Sequence, residues 1–344
     1  MKKLLFIYNP QAGKGQVRPQ LAAILDAFSK AGYLTSAWPT QGPGDATRVA
    51  AAIGRRYDRV VCCGGDGTLN EVVTGLMGLE APPLVGYIPA GTTNDFSRNL
   101  DLPKGMDKAA EAAVAGVARP CDIGVFNDRF FVYVAAFGAF TDVSYDTPQP
   151  FKNTFGHLAY LLEGATKLGS LLKGYHLTIE HDGGAVEGDF IYGMVSNTIS
   201  VGGFQLFPPE RVALDDGLFE VVLVRLPRNP AEFQSALRSL TRQNTVESDM
   251  IVALHTSRLR VVTQEELTWT LDGEYGGAPE TVEIQNRQKA LTLIWGKSQT
   301  SGARNTAPRM CFDLSLFLPE ASPVGKRAAV SASYLGSSSQ RIAV

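Results

Sequence analysis

The chain has 344 residues, 44% of them hydrophobic and 19% charged, with a formal net charge of −2. That length can bury two cores, and the composition is that of a globular chain. The balanced charge argues against an overall basic, nucleic-acid-binding protein, and no run of about 18 uncharged apolar residues offers a membrane-spanning helix.

Residues 1–7 mimic the start of a secretion signal, but Asn9-Pro10 interrupts the apolar run and no small-residue cleavage site follows. A strand is expected there instead. Up to about residue 122 the pattern alternates. Strands are expected at 4–8, 34–38, 59–62 and 84–88, and helices at 17–31, 44–53, 68–79 and 106–115. This alternation predicts an α/β layer with a mostly parallel sheet, whose ligands sit beyond the carboxyl ends of the strands. The loops 9–15, 64–70 and 89–96 fall at those ends.

After residue 122 the texture becomes that of an antiparallel β-rich domain. Residues 123–126, the turn Asn127-Asp128 and residues 130–137 read as a β-hairpin. Further strands are expected at 175–181, 186–195, 218–224, 259–263, 267–271, 281–285 and 291–295, with helices near 157–168 and 231–240. Beyond residue 297 the chain is rich in Ser, Ala, Gly and Pro and loses its periodicity, which predicts a tail of low order.

The run Gly64-Gly65-Asp66-Gly67-Thr68-Leu69-Asn70-Glu71 carries the most chemistry. It follows an apolar, β-branched strand and enters a helix, so glycine N–H groups and a helix N-terminus face a prospective anion. An acid in such a turn repels a bare phosphate and suits a Mg²⁺ ion beside one. The frame from Gly65 lacks the last glycine of a dinucleotide fingerprint, which argues against NAD-type binding.

Each remaining motif has an ordinary structural alternative. Asn9-Pro10-Gln11-Ala12-Gly13-Lys14-Gly15 offers an amide, glycines and a cation to phosphates; it is no Walker A loop, and a plain strand-to-helix turn is the simpler account. In Pro89-Ala90-Gly91-Thr92-Thr93-Asn94-Asp95-Phe96-Ser97-Arg98 the alternative is a helix cap at Thr93 or Asn94. Leu214-Asp215-Asp216-Gly217-Leu218 suits a divalent cation, though Asp-Gly is also an everyday turn. Leu271-Asp272-Gly273-Glu274-Tyr275-Gly276-Gly277 places two carboxylates after a strand, where one could take a proton, or where they merely punctuate a turn. Phe204-Gln205-Leu206-Phe207-Pro208-Pro209 could touch acyl chains or lie on a sheet. The cysteines (Cys62, Cys63, Cys121, Cys311) form no C-x-x-C pair and read as buried thiols, and the histidines form no metal-ligating pair.

Taken in this order, the motifs resemble the lipid kinase family, in particular the soluble bacterial diacylglycerol kinases. The resemblance rests on Asn9-Pro10 with Gly13-Lys14, on residues 64–71 and 91–96, on Asp215-Asp216-Gly217 and on residues 272–277. The stretch Val143-Ser144-Tyr145-Asp146-Thr147-Pro148, leading to Gly156 and Ala159-Tyr160, is similar to the diacylglycerol branch. G-G-D-G also occurs in NAD kinases and phosphofructokinases, so the weight lies on five motifs in register. They cover about residues 3–296.

The resemblance implies an α/β domain of the NAD kinase/phosphofructokinase type over 1–122 and a β-rich domain over 123–296 whose last strands return to the first. It implies ATP at Asn9, Pro10, Gln11, Ala12, Gly13, Thr40, Gly64, Gly65, Asp66, Gly67, Thr68, Leu69, Asn70 and Thr92. A structural Mg²⁺ would be held by Asp216 with the Ala213 and Leu218 carbonyls, while Asp66, Asp95 and Asp122 order catalytic Mg²⁺ through waters. The base would be Asp272 or Glu274. Lys14 and Arg98 sit where basic residues could meet headgroups of an anionic membrane. The implied reaction makes phosphatidate from diacylglycerol and ATP, in a cytoplasmic enzyme working peripherally at the inner membrane face; a homodimer is compatible. Competing readings are a kinase of sphingoid bases, phosphatidylglycerol or NAD, and a non-catalytic nucleotide or lipid sensor. Residues 133–140 depart from the family in being aromatic and Ala-rich.

Overall fold

A computed structural model of the chain describes residues 1–92, 94–138, 173–199, 201, 212–241 and 249–296. The expected helix near 157–168, the loop 204–209, the motif at 143–160, Cys311 and the tail all lie outside the described residues.

The first half follows the alternation. Strands β1 (Lys2–Tyr8), β2 (Tyr33–Pro39), β3 (Arg59–Gly64) and β4 (Leu84–Pro89) are parallel, in the order β4-β3-β1-β2. Leu4, Leu5, Phe6 and Ile7 in β1 are all buried because the sheet is covered on both faces, which is why the strand reads as an unbroken apolar run. One face packs Leu4, Phe6 and Val61 against Ile24 and Phe28 of helix α2 (Val17–Lys30) and the alanines of α5 (Met106–Ala115). The other packs Leu5, Ile7 and Cys62 against Val49 of α3 (Asp45–Ile53) and Leu69, Val72 and Leu76 of α4 (Asp66–Met77). A short turn, α1 (Ala12–Gly15), precedes α2 and holds Gly13 and Lys14 in left-handed backbone.

The second half is antiparallel, as its texture predicts. Strands β5 (Val117–Phe126), β6 (Arg129–Phe131), β7 (Val134–Gly138), β8 (Tyr175–His181), β9 (Gly184–Ser196) and β10 (Phe219–Arg225) precede helix α6 (Pro230–Thr241). Strands β11 (Ile251–Thr256), β12 (Arg258–Val262), β13 (Trp269–Leu271), β14 (Glu274–Gly277) and β15 (Thr281–Trp295) complete it. Phe131, Phe137, Phe190, Phe219 and Trp269 fill its core.

Two expectations are corrected. The expected strand 130–137 is broken at Val132-Tyr133: β6 pairs with β5, whereas β7 pairs with β9 and β13. The main-chain N–H groups of Val132, Tyr133 and Val134 turn away from a ladder to donate to the Asp272 carboxylate. The two short strands expected at 281–285 and 291–295 are one strand, β15, with an irregularity between Arg287 and Leu291. Its first part pairs with β12, and its end lies parallel to β4 at Leu293–Val85, joining both halves into one sheet.

Candidate active site

Three loops converge at the carboxyl ends of β1, β3 and β4. Asn9 N–H donates to the Cys63 carbonyl at 2.9 Å, and Ala90 N–H to the Gly64 carbonyl at 2.7 Å. A Cβ on Gly91 would stand 2.6 Å from Gly65 Cα, so the second and third loops touch backbone to backbone. Gly13, at φ +58°, likewise faces the Ala90 carbonyl. Only glycine permits this approach.

The side chains of these loops divide into structural and outward-facing groups. Asn9 Oδ1 accepts the Gln11 N–H at 2.9 Å, an Asx turn that shapes the first loop. Thr40 is held to β1 by its N–H on the Tyr8 carbonyl. Thr68 folds back over Gly64, and Leu69 is buried in the core, with its N–H on the Gly65 carbonyl. Asn94 does not cap the 3-10 turn Asp95–Arg98 through its side chain; its amide instead accepts from Gly91 N–H at 2.8 Å and donates to the Gly91 carbonyl at 2.6 Å. Thr92, Lys14 and Arg98 are exposed.

Asp66 opens α4. Its Oδ2 accepts the Asp95 N–H at 3.0 Å, while Oδ1 is buried without a hydrogen bond among the described residues. Burial, with the nearby Asp95 and Asp272 carboxylates adding to it, raises the Asp66 carboxyl from its ordinary value to about 7. Glu71 faces elsewhere. Its carboxylate accepts from Gly44 N–H at 2.8 Å and Ala46 N–H at 3.1 Å, closing the N-terminus of α3.

From the second half, the β13–β14 turn brings Asp272 and Glu274 to the Gly64–Asn70 loop. Asp272 is only 4% exposed and is surrounded by donors. Val132 N–H and the Asn70 amide reach its Oδ2, both at 2.7 Å, and Tyr133 and Val134 N–H reach its Oδ1 at 2.9 and 3.1 Å. Burial raises its pKa while these donors oppose the rise. Glu274 is exposed, and its Oε1 lies 3.4 Å from where a Gly67 Cβ would be. Sequence reasoning could not separate the two acids; one is occupied and the other open.

Asp122 ties two other segments together. Its Oδ2 accepts Gly217 N–H at 2.6 Å and its Oδ1 accepts Lys289 N–H at 2.7 Å, so it anchors the Asp215-Asp216-Gly217 loop to the irregular part of β15. Burial raises its pKa. In that loop Asp216 Oδ1 accepts the Leu218 N–H at 3.0 Å. Among the described residues no three His, Cys, Asp or Glu side chains converge as a metal site. The cation set that the resemblance implies, Asp216 with the Ala213 and Leu218 carbonyls, would consist of oxygens alone, the donor type that a hard cation takes. Sequence reasoning missed Asn99. This buried amide donates to Thr198 Oγ1 at 2.6 Å and accepts the Ile199 N–H at 3.0 Å, a further tie between the halves.

A parallel α/β half with glycine-lined loops, to which an antiparallel β half presents an exposed carboxylate, is an arrangement suited to phosphoryl transfer. Residues 3–126 match the diacylglycerol kinase catalytic domain, and residues 141–295 match the YegS C-terminal NAD kinase beta sandwich-like domain. The diacylglycerol kinase of Bacillus subtilis (strain 168) is 40% identical over 280 residues, 80% of this chain and 91% of that one. That of Staphylococcus aureus (strain MRSA252) is 36% identical over 277 residues, covering 80% and 87%. A crystal structure from Bacillus anthracis str. Sterne assigned to the diacylglycerol kinases superposes with a TM-score of 0.71 at 27% identity, over 86% of this chain and 98% of that one. The chain belongs to the diacylglycerol kinase family.

Proposed function

We propose that the chain transfers the γ-phosphoryl group of ATP to the free hydroxyl of diacylglycerol, giving phosphatidate, with Glu274 as the base. The observation that carries this reading is the Glu274 carboxylate over Gly67, at the first turn of α4. There a lipid hydroxyl would lie between a proton acceptor and the loop that cradles phosphates. Asp272 is the poorer base because four donors already occupy its oxygens.

The chain's own groups supply positioning and electrostatics, the main resources for phosphoryl transfer. Main-chain N–H groups of the glycine loop at the start of α4 meet the phosphates, whose negative charge the N-terminus of that helix favours. Asp66, with one buried oxygen lacking a partner, fits the water shell of a hard cation, as does Asp95 beside it; Asp216 fits a second, structural one. When bound, Mg²⁺ neutralises charge that spreads over the phosphoryl oxygens. Exposed Lys14 and Arg98 supply cations toward headgroups, and reversible docking on an anionic cytoplasmic membrane face follows from such residues. No helix among the described residues is long and apolar enough to cross a membrane.

The test is ATP consumption with Mg²⁺ in mixed micelles, offering diacylglycerol, a sphingoid base, phosphatidylglycerol and NAD in parallel. Turnover on diacylglycerol that is lost with Glu274→Gln is expected. Turnover on NAD alone, or full activity of Glu274→Gln, overturns the acceptor or the base respectively.

A further inference from the structure

The first turns of α4 are gripped at two points, and the grips are joined. Near its start, Asp66 accepts the Asp95 N–H at 3.0 Å. One turn on, Asn70 donates to Asp272 Oδ2 at 2.7 Å and to the Phe130 carbonyl at 3.0 Å. Asp272 also accepts the Tyr133 N–H, and the Tyr133 ring stacks on Phe96 with centroids 6.2 Å apart. Phe96 follows Asp95 in the chain. The contacts therefore run from Asp66 through Asp95-Phe96, Tyr133 and Asp272 to Asn70, and close on the same helix.

This circuit bears on Glu274. Asp272 has φ +50° and Gly273 φ +86°, so the direction in which the chain leaves β13 toward Glu274 is set by a left-handed pair. Both residues are at positive φ, the two-residue Asp-Gly hairpin geometry that joins β13 to β14, and the Asp272 carboxylate is in turn fixed by its four donors. The Asn70 amide is equally committed: both its N–H donors are used, and its Oδ1 lies 3.4 Å from the Thr74 hydroxyl. Such a group has no donor left for a phosphate.

We propose that Asn70 is a positioning residue, which acts through Asp272 to hold Glu274 over the glycine loop, and that it does not bind the nucleotide. The inference rests on Glu274 being the base. Tyr133, where two arms of the circuit meet, belongs to the same frame.

The experiment compares Asn70→Ala and Asn70→Ser with the full-length protein, measuring kcat on diacylglycerol, the Kd of a non-hydrolysable ATP analogue and the melting temperature. A base displaced by about 1 Å costs up to about 10²-fold, so Asn70→Ala is expected to lower kcat by that order with Kd unchanged. Asn70→Ser, which keeps a donor, is expected to recover part of the loss and provides the folded comparison if the alanine variant melts early. In the Glu274→Gln background, Asn70→Ala is expected to cost nothing further, because no base remains to be positioned. Weaker analogue binding with kcat intact would make Asn70 a nucleotide contact and overturn the proposal. So would equal kcat in all three forms, or losses that multiply with Glu274→Gln. Full activity of Glu274→Gln alone would remove the base reading itself, a result separate from any effect at Asn70.

Discussion

The main-chain N–H of Asp95 donates to Asp66 Oδ2 at 3.0 Å, and the other Asp66 oxygen is buried with no hydrogen bond among the described residues. A carboxylate solvated on one side only is costly to ionise, which is why burial carries this group to about 7. Without nucleotide or cation, the folded protein therefore keeps a proton on Asp66 at pH values where the unfolded chain, with the group near 3.8, has released it. The stability this confers is complete below about pH 4 and is lost as pH rises toward 7, by an amount on the order of 4 kcal/mol at most. Asp66→Asn, a neutral isostere, is expected to flatten that decline. Urea unfolding of both proteins at several pH values checks it, and parallel pH curves would refute it. On catalysis, Asp66→Ala is expected to lower turnover by at least ~10²-fold, as for loss of an electrostatic stabiliser; near-wild-type turnover would remove Asp66 from the mechanism.

Glu71 belongs to the glycine motif in sequence but to helix α3 in space, through its bonds to Gly44 and Ala46 N–H. Glu71→Ala strips two donors of their acceptor and is expected to destabilise the protein by about 1–3 kcal/mol. Amide exchange at residues 44–46 should quicken at the same time. Unchanged stability would show that water replaces the carboxylate without loss.

Gly91→Ala would drive a Cβ to 2.6 Å from Gly65 Cα and 2.7 Å from Asn94 Oδ1. Backbone cannot yield as a side chain can, so the two loops must part. The expected result is at least a tenfold rise in the KM for ATP, measured beside Gly78→Ala, where a Cβ meets nothing within 4 Å. Equal KM values in the two variants would detach the 91–95 loop from the nucleotide.

Mg²⁺ held at Asp216 should stabilise the fold apart from any catalytic role. Titrating Mg²⁺ is expected to raise the melting temperature of the wild-type protein and to leave Asp216→Ala unmoved, with EDTA reversing the gain. An identical rise in both would place the ion elsewhere.

Activity on anionic vesicles should fall with salt if Lys14 and Arg98 serve docking, because exposed charges are screened within about 8 Å at physiological ionic strength. A salt-independent rate would assign docking to apolar contacts.

The parallel first half and its three loops were legible because their signals are local. Apolar run, glycine turn and helical period follow one another within a few residues, and the parallel pairing brings the three loops to one end of the sheet. What escaped depends on partners far along the chain. Nothing within residues 130–137 tells that the strand breaks at Val132-Tyr133, since the acceptor that draws their amides away is Asp272, about 140 residues on. The irregularity of β15 is similarly met by Asp122, whose Oδ1 accepts the Lys289 N–H from 167 residues away.

The acids show where local reading ends. From residue types alone, the sequence offered Asp66, Asp272 and Glu274 as acids set among glycines, with an ordinary turn as the competing account for the last two. Only the tertiary structure decided which is buried among donors and which is exposed. A carboxylate's availability depends on how many donors surround it, and the donors of Asp272 come from the far-off residues 132–134 and Asn70, whereas Glu274, two positions away, is left exposed beside Gly67.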